Sequence, residues 1–73
     1  MRTIGDPRYL EIITRLRLAR KTQGLMQKDL ADRLSVPQSF VSKYETGERR
    51  LDIIELLDIC SVLGIELHDI LPK

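Results

Sequence analysis

The sequence has little of what builds a disulfide, a metal centre or a catalytic site. It contains one cysteine and one histidine in 73 residues. A single cysteine excludes an intramolecular disulfide and is typical of a reducing cytosol, and this pair is too few for a zinc site. No nucleophile stands with a base, and no glycine-rich phosphate loop is present. We therefore expect no enzyme, no metal and no cofactor.

Long apolar runs and strand patterns are also missing. No stretch approaches the ~20 apolar residues that span a membrane, and the N-terminus lacks the apolar segment of a signal peptide. These absences predict a cytoplasmic protein with no membrane partner. Helix-forming residues dominate without apolar-polar alternation, which indicates an all-α fold. A chain of this length has room for one core, so residues 1–73 are expected to form a single domain, without a second one for a small-molecule ligand.

What the sequence does have is an uneven distribution of charge. The net charge is only +1, which alone is weak evidence for DNA binding. Residues 1–50, however, hold 11 lysines and arginines against 6 aspartates and glutamates, whereas residues 51–73 hold 1 against 5. A basic N-terminal part and an acidic C-terminal part would orient the molecule with its basic side towards a polyanion.

Helical periodicity predicts a short N-terminal arm, residues 1–6, followed by five helices. Asp6 suits the N-cap of the first helix, and Gly24 is placed to end it. The fourth helix carries an apolar stripe for the core, formed by Ile53, Leu56, Leu57, Ile59, Cys60 and Leu63. The predicted helices span Pro7–Thr22, 27–34, 38–46, about 52–63 and 66–71.

The second and third helices are joined too tightly for a flexible loop. Pro37 disfavours a helical conformation at Val36 and is itself suited to the opening of a new helix. Ala31 is small enough to let one helix cross close over the other. Two short helices with a tight turn are the pattern of a DNA-binding helix-turn-helix, here at residues 27–46.

A spaced set of residues in and around this motif carries a family resemblance. The residues are Gly24, Leu25, Gln27, Leu30, Ala31, Leu34, Val36, Gln38, Ser39, Val41, Tyr44, Glu45 and Gly47, with Leu63, Gly64 and Leu71 further on. Their spacing resembles the phage repressor and Cro-like (Xre) family of transcriptional regulators. The resemblance implies a compact five-helix bundle of the lambda-repressor-like type. The chain departs from the family at Met26, where an N-capping Ser or Thr is common, and at Ser35, where Gly is common.

The polar face of the third helix is predicted to contact base edges. Gln38 and Ser39 lie at the N-terminal end, which meets the bases in such motifs. Gln38 can pair with adenine and Lys43 with guanine, whereas Ser39 and Ser42 can serve either base type. The alternative is an ordinary solvated face on a small helix.

Four further residues are predicted to contact the phosphate backbone. The resemblance implies this role for Gln27, which opens the first motif helix, and for the loop that follows the recognition helix. Arg49 and Arg50 lie in that loop, and Thr46 precedes it. Such contacts position a protein on DNA and give salt-dependent affinity without reading sequence. A solvated Gln and a solvated pair of arginines are the alternatives.

Arg20 is expected to need a partner, because it projects onto the apolar face of the first helix with Ile13 and Leu16. Glu45 is the best candidate, and the resemblance also implies an Arg–Glu ion pair between these helices. Otherwise Arg20 extends to solvent or to a phosphate.

These features predict a sequence-specific DNA-binding transcriptional regulator. It is expected to be a homodimer that reads a palindromic operator in double-stranded DNA with half-sites ~34 Å apart. The alternative is an antitoxin or another protein-interaction module on the same fold, which an apolar recognition face would indicate. The expected dimer surface consists of apolar residues near the C-terminus, namely Ile54, Val62, Ile65 and Leu67.

Overall fold

The structure describes residues 5–73, which contain four α-helices and a 3-10 turn. In this computed structural model the elements are α1 Pro7–Thr22, α2 Gln27–Leu34, α3 Gln38–Thr46, α4 Ile53–Leu63 and the 3-10 turn Leu67–Asp69. The described residues contain no strand, so the all-α prediction is confirmed. Of the predicted arm at 1–6, residues 1–4 lie outside the described part.

The predicted fifth helix at 66–71 is wrong, because only one 3-10 turn forms there. Its backbone hydrogen bonds run to the third residue back, with Ile70 N–H donating to the Leu67 carbonyl at 3.1 Å. Arg15 of α1 also contacts this segment. Its guanidinium donates to the carbonyls of Asp69 and Leu71, at 3.3 and 3.1 Å. Pro72 further disfavours a helical conformation at Leu71.

The ends of α1 follow from local sequence signals. The Asp6 carboxylate accepts the backbone N–H of Arg8 at 2.8 Å, which makes Asp6 the N-cap. At the other end Gly24 adopts a left-handed conformation with φ of 72°. Leu25 N–H then reaches the Arg20 carbonyl at 3.2 Å, in the hydrogen-bond pattern of a Schellman motif. The predicted bounds of α1 are therefore confirmed.

The core is formed by one face of each helix. Leu16 of α1, Leu30 of α2, Val41 and Tyr44 of α3 and Ile59 of α4 are all at most 1% exposed. The remaining buried apolar residues are Ile13, Ala31, Leu51, Leu56, Cys60, Leu63 and Ile70. The two motif helices α2 and α3 pack directly against each other, and small Ala31 of α2 is buried in the core.

The apolar face of α4 is wider than the core can cover. Leu56, Ile59, Cys60 and Leu63 are buried as predicted, but Ile53 and Leu57 are 54% and 45% exposed. The prediction that these two residues join the core is wrong, since α4 packs on α1 and α2 with only one side. Ile54, one residue further round the helix, is 62% exposed. An uncovered apolar surface of Ile53, Ile54 and Leu57 results.

The turn between α2 and α3 depends on a left-handed serine. Ser35 has φ of 59° and ψ of 43°, and it is the single non-glycine residue with positive φ in the described chain. Val36 N–H donates to the Ala31 carbonyl at 3.0 Å, which closes the last turn of α2. Ser35 therefore occupies the conformation that favours glycine.

Replacing Ser35 with glycine is expected to raise the free energy of unfolding by about 0.5–1 kcal/mol, because it removes left-handed strain at an exposed residue. Urea denaturation followed by circular dichroism measures the change. The matched control is Ser61→Gly in α4, also exposed, where right-handed backbone makes the same substitution destabilising by about 0.5–1 kcal/mol. A loss of stability in Ser35→Gly would contradict the strain at this turn.

The two tyrosines differ in how their hydroxyls are satisfied. The Tyr9 hydroxyl donates to the Arg49 carbonyl at 3.2 Å and accepts Leu51 N–H at 2.9 Å. The Tyr44 hydroxyl is fully buried and finds no hydrogen-bond partner among residues 5–73. Burial accordingly raises the pKa of Tyr44 well above its ordinary value. The first hydroxyl is therefore a link between segments, and the second is an unsatisfied group in the core.

The Tyr44→Phe variant is expected to be more stable than the wild type by about 1 kcal/mol, because it removes an unsatisfied buried hydroxyl. Tyr9→Phe is the control, with an expected loss of about 1 kcal/mol, since the Leu51 N–H loses its acceptor. Thermal and urea unfolding of both variants measure the difference. Equal destabilisation of the two variants would show that the Tyr44 hydroxyl is satisfied in solution.

Candidate nucleic-acid interface

The N-terminal ends of α2 and α3 meet at one cleft of the surface. Gln27 and Lys28 from α2 and Gln38 from α3 line it together with Arg20, Leu25 and Met26. A helix N-terminus carries unpaired N–H groups and a partial positive charge. The cleft therefore brings together two such ends, a lysine and two amide side chains, which is an arrangement suited to an anionic backbone.

The third helix divides cleanly into a buried face and a polar face. Val41 and Tyr44 are completely buried, and Phe40 packs against the core edge-on to Tyr44 with 5.9 Å between ring centroids. On the polar side, Gln38, Ser39 and Lys43 are exposed, and Ser42 is partly exposed. The four residues predicted to contact bases thus share one accessible surface, and the short side chains in its middle leave room for close approach.

A buried ion pair fixes α3 against α1. Arg20 Nε donates to Glu45 Oε2 at 2.7 Å and Arg20 Nη2 to Glu45 Oε1 at 3.0 Å. The two residues are only 6% and 8% exposed. The remaining guanidinium donor, Nη1, reaches the Leu25 carbonyl at 2.7 Å. The structure therefore brings together the two residues that the sequence paired, in a bidentate contact with few donors left over.

The same carboxylate orients Gln27. Gln27 Nε2 donates to Glu45 Oε1 at 3.0 Å, so the side chain at the start of α2 is held against the recognition helix. One amide N–H of Gln27 is used in this bond, and the other remains for a ligand. Gln27 is half-buried at the edge of the cleft rather than freely solvated.

Met26 supplies no side-chain cap to α2, as its chemistry predicts. The first turn is instead stabilised from within, since the Asp29 carboxylate accepts Met26 N–H at 2.8 Å. The Met26 side chain is 72% exposed. No side-chain oxygen from residue 26 therefore covers the N–H groups at the start of α2.

The two arginines of the loop after α3 have different surroundings. Arg49 forms a bidentate ion pair with Glu55, with Nη1–Oε1 and Nη2–Oε2 distances of 3.0 and 2.9 Å. Its guanidinium carbon also lies 4.5 Å from the centre of the Phe40 ring. Arg50 is exposed, and its carbonyl accepts a hydrogen bond from Arg49. The sequence assigned both residues the same role, whereas in the structure Arg49 is paired with Glu55 and Arg50 forms no ion pair in the described part of the chain.

Thr46 is the last residue of α3 and lies at the C-terminal end of its polar face. Its hydroxyl lies 3.0 Å from the Lys43 carbonyl and 3.1 Å from Glu48 Oε1. The side chain is exposed, but its hydroxyl is already hydrogen-bonded within the loop. A phosphate contact from Thr46 would need this hydroxyl to turn away from Glu48.

The residues expected at a dimer surface are unequally exposed. Ile54 is open to solvent, whereas Val62, Ile65 and Leu67 are partly buried against the core. Three exposed apolar residues, Ile53, Ile54 and Leu57, lie on α4, and two of them the sequence analysis had placed in the core.

Sequence reasoning missed Glu55 and Phe40 as partners of Arg49. An Asp-x-x-Glu spacing at 52–55 is the signal of a capping box, and both of its hydrogen bonds form, at 2.8 and 2.9 Å. That signal places Glu55 at the start of α4, but its contact with Arg49 depends on the path of the loop between them.

Residues 5–73 contain no group of three metal-ligating side chains and no helix that is long and apolar enough to cross a membrane.

Comparison with known proteins agrees with this geometry. Residues 16–70 match the helix-turn-helix family HTH_3. No curated protein matches the chain. Among solved structures, an XRE-family like protein from Pseudomonas syringae pv. tomato is 47% identical, with a TM-score of 0.84 over 93% of this chain and 83% of that one.

Two further solved structures are similar at lower identity. The restriction-modification controller protein C.AhdI from Aeromonas hydrophila is 29% identical, with a TM-score of 0.78 over 85% of this chain and 94% of that one. The clp gene regulator ClgR from Corynebacterium glutamicum is 26% identical, with a TM-score of 0.79 over 89% and 70%. The family match spans most of the described chain, including both motif helices. The chain thus belongs to the Cro/C1-type (Xre) helix-turn-helix family of DNA-binding transcription regulators.

Proposed function

We propose that the protein reads a specific sequence in double-stranded DNA by placing α3 in the major groove. The observation that carries the proposal is the polar face of α3, where Gln38, Ser39, Ser42 and Lys43 are accessible on a helix whose other face is buried. An amide can pair with adenine and a lysine with guanine, whereas the serines discriminate less. The buried Arg20–Glu45 pair supports the proposal because it gives the helix one fixed orientation.

Phosphate contacts follow from the residues that flank α3. Gln27 and the open N-terminal end of α2 would meet the backbone on one side, and Arg50 with Thr46 on the other. These contacts would set the position of α3 in the groove and make the affinity fall with salt. Because Arg49 is already paired with Glu55, it is not included among the phosphate ligands.

A homodimer is the proposed functional form. The exposed Ile53, Ile54 and Leu57 surface on α4, together with the partly buried Val62, Ile65 and Leu67, would be covered by the same residues of a second copy. A two-fold dimer would present two copies of α3 to successive major grooves, and the operator would then be palindromic. Occupancy would depend on protein concentration through coupled dimerisation and DNA binding.

Selection of binding sites from a pool of random duplexes tests the DNA-binding proposal. The expected result is enrichment of a palindrome with half-sites about one helical turn apart. If repeated rounds enriched no common sequence, the proposal would fail, and a protein-binding module of this fold would be the better account.

Sedimentation equilibrium over a wide concentration range tests the proposed assembly. A reversible monomer–dimer equilibrium is expected, shifted towards the dimer by the selected duplex. A protein that remains monomeric at the highest concentration and binds the palindrome without cooperativity would contradict the dimer.

A further inference from the structure

The Arg49 guanidinium contacts three other residues of the chain, Phe40, Arg50 and Glu55. Both of its terminal nitrogens donate to the Glu55 carboxylate, and Nη1 also reaches the Arg50 carbonyl at 3.2 Å. One face of the guanidinium lies over the Phe40 ring. Phe40 belongs to α3 and Glu55 to α4, so Arg49 connects the recognition helix with the helix that carries the exposed apolar surface.

Glu55 is itself fixed in place. Its Oε1 accepts Asp52 N–H at 2.9 Å, and its own N–H donates to the Asp52 carboxylate at 2.8 Å. The hydrogen bonds from Arg49 lower the pKa of the Glu55 carboxyl, so the group stays ionised at neutral pH. A negative charge in the first turn of α4 is also favoured by the helix dipole. The partner of Arg49 is thus a rigid, charged acceptor rather than a mobile surface carboxylate.

We propose that Glu55 is a positioning residue of the DNA interface, which holds Arg49 as a strut between α3 and α4 and withholds its charge from the phosphate backbone. This inference rests on the proposed DNA-binding function. A phosphate that approached Arg49 would meet the ionised Glu55 bound to it, whereas Arg50 is exposed and forms no ion pair within residues 5–73. The loop would therefore offer DNA one arginine instead of two, and non-specific affinity would stay low relative to binding at the operator.

Binding to a random duplex at several salt concentrations tests whether Glu55 keeps the charge of Arg49 from the phosphate backbone. The Glu55→Gln variant keeps an oxygen for Asp52 N–H but loses the charge that holds Arg49. We expect its affinity for the random duplex to rise several-fold, and the slope of log affinity against log salt to steepen by about one. The control Glu48→Gln removes a carboxylate of the same charge from the loop before α4, where it pairs with no arginine among residues 5–73, and it is expected to leave the slope unchanged.

Two arginine variants identify the source of any added slope. Adding Arg49→Ala to Glu55→Gln should return the slope to the wild-type value. In the wild-type background, Arg50→Ala should reduce the slope by about one and Arg49→Ala should not. Equal slopes for Glu55→Gln and Glu48→Gln would overturn the inference, as would an Arg49→Ala variant that behaves like Arg50→Ala.

A double-mutant cycle in urea unfolding tests the strut without DNA. We expect the unfolding constants of Arg49→Ala and Glu55→Gln to be non-multiplicative, with a coupling factor of about fivefold. A coupling factor near one would show that Arg49 and Glu55 do not stabilise each other, and it would overturn their proposed role in joining α3 to α4. If the wild type bound no duplex, the proposed DNA-binding function would fail, and so would the proposal that Glu55 keeps the charge of Arg49 from the phosphate backbone. The double-mutant cycle would still test whether Arg49 and Glu55 stabilise the contact between α3 and α4.

Discussion

Replacing Glu45 with alanine is expected to lower the free energy of unfolding by about 3–5 kcal/mol, since it leaves the Arg20 guanidinium buried without a counter-charge. Arg20 is only 6% exposed, and two of its nitrogens donate to this carboxylate. Gln27 would lose its acceptor in the same step. A domain of this size has only a few kcal/mol of net stability, so the variant should be largely unfolded at room temperature.

Two comparison variants separate the loss of stability caused by breaking an ion pair from the loss caused by leaving a charge buried without a partner. Glu11→Ala breaks an ion pair of the same type with Arg15, which is about one-third exposed, and it should cost at most about 0.5 kcal/mol. Replacing both members, in Arg20→Met with Glu45→Leu, should recover much of the stability because no charge remains buried. Urea unfolding followed by circular dichroism measures all of them. Similar losses for Glu45→Ala and Glu11→Ala would contradict the bracing role of the pair.

Gln38→Ala is expected to weaken binding to the selected duplex by about 1–3 kcal/mol, which is a loss of roughly 5- to 150-fold in affinity. Gln38 is exposed at the N-terminal end of α3, where its amide can make a two-point contact with adenine. Binding to a random duplex should be unchanged, because a base-specific contact contributes little there. The expected effect is thus a loss of discrimination more than a loss of DNA binding.

Fluorescence anisotropy at fixed salt, with selected and random duplexes side by side, measures this difference. Lys43→Ala should give a similar loss through another base pair. Lys21→Ala is the control, because it removes an equally exposed lysine near the end of α1 and should not change base preference. If Gln38→Ala weakened both duplexes equally, the assignment of this residue to base contact would be wrong.

Local signals were enough to predict the first four helices and the turn. The bounds of α1, α2 and α3 agree with prediction, because caps and breakers such as Asp6, Gly24 and Pro37 act within a few residues of the backbone they control. Ser35 adopts the left-handed conformation that favours the glycine common at this position in the family. The Arg20–Glu45 contact could be predicted for a different reason. A guanidinium on the apolar face of a helix needs a polar partner, and few residues can supply one.

Features that depend on how elements pack were predicted less well. The buried face of α4 is narrower than its apolar stripe, because the angle at which a helix meets its neighbours is not contained in its own periodicity. Ile53 and Leu57 were therefore placed in the core and lie at the surface. The pairing of Arg49 with Glu55 likewise depends on the path of the loop between α3 and α4. The segment 66–71, predicted as a helix, forms only the 3-10 turn Leu67–Asp69, and its contacts with Arg15 of α1 likewise join residues far apart in the sequence.

Whether the polar face of α3 reads base sequence is decided by parallel selection of binding sites for the wild type and for Gln38→Ala from one random duplex pool. The wild type should select a palindrome, and Gln38→Ala should select the same palindrome with preference lost at one symmetry-related base pair in each half-site. Identical preferences for the two proteins would contradict a base contact from Gln38, and no enriched sequence for the wild type would contradict the claim as a whole.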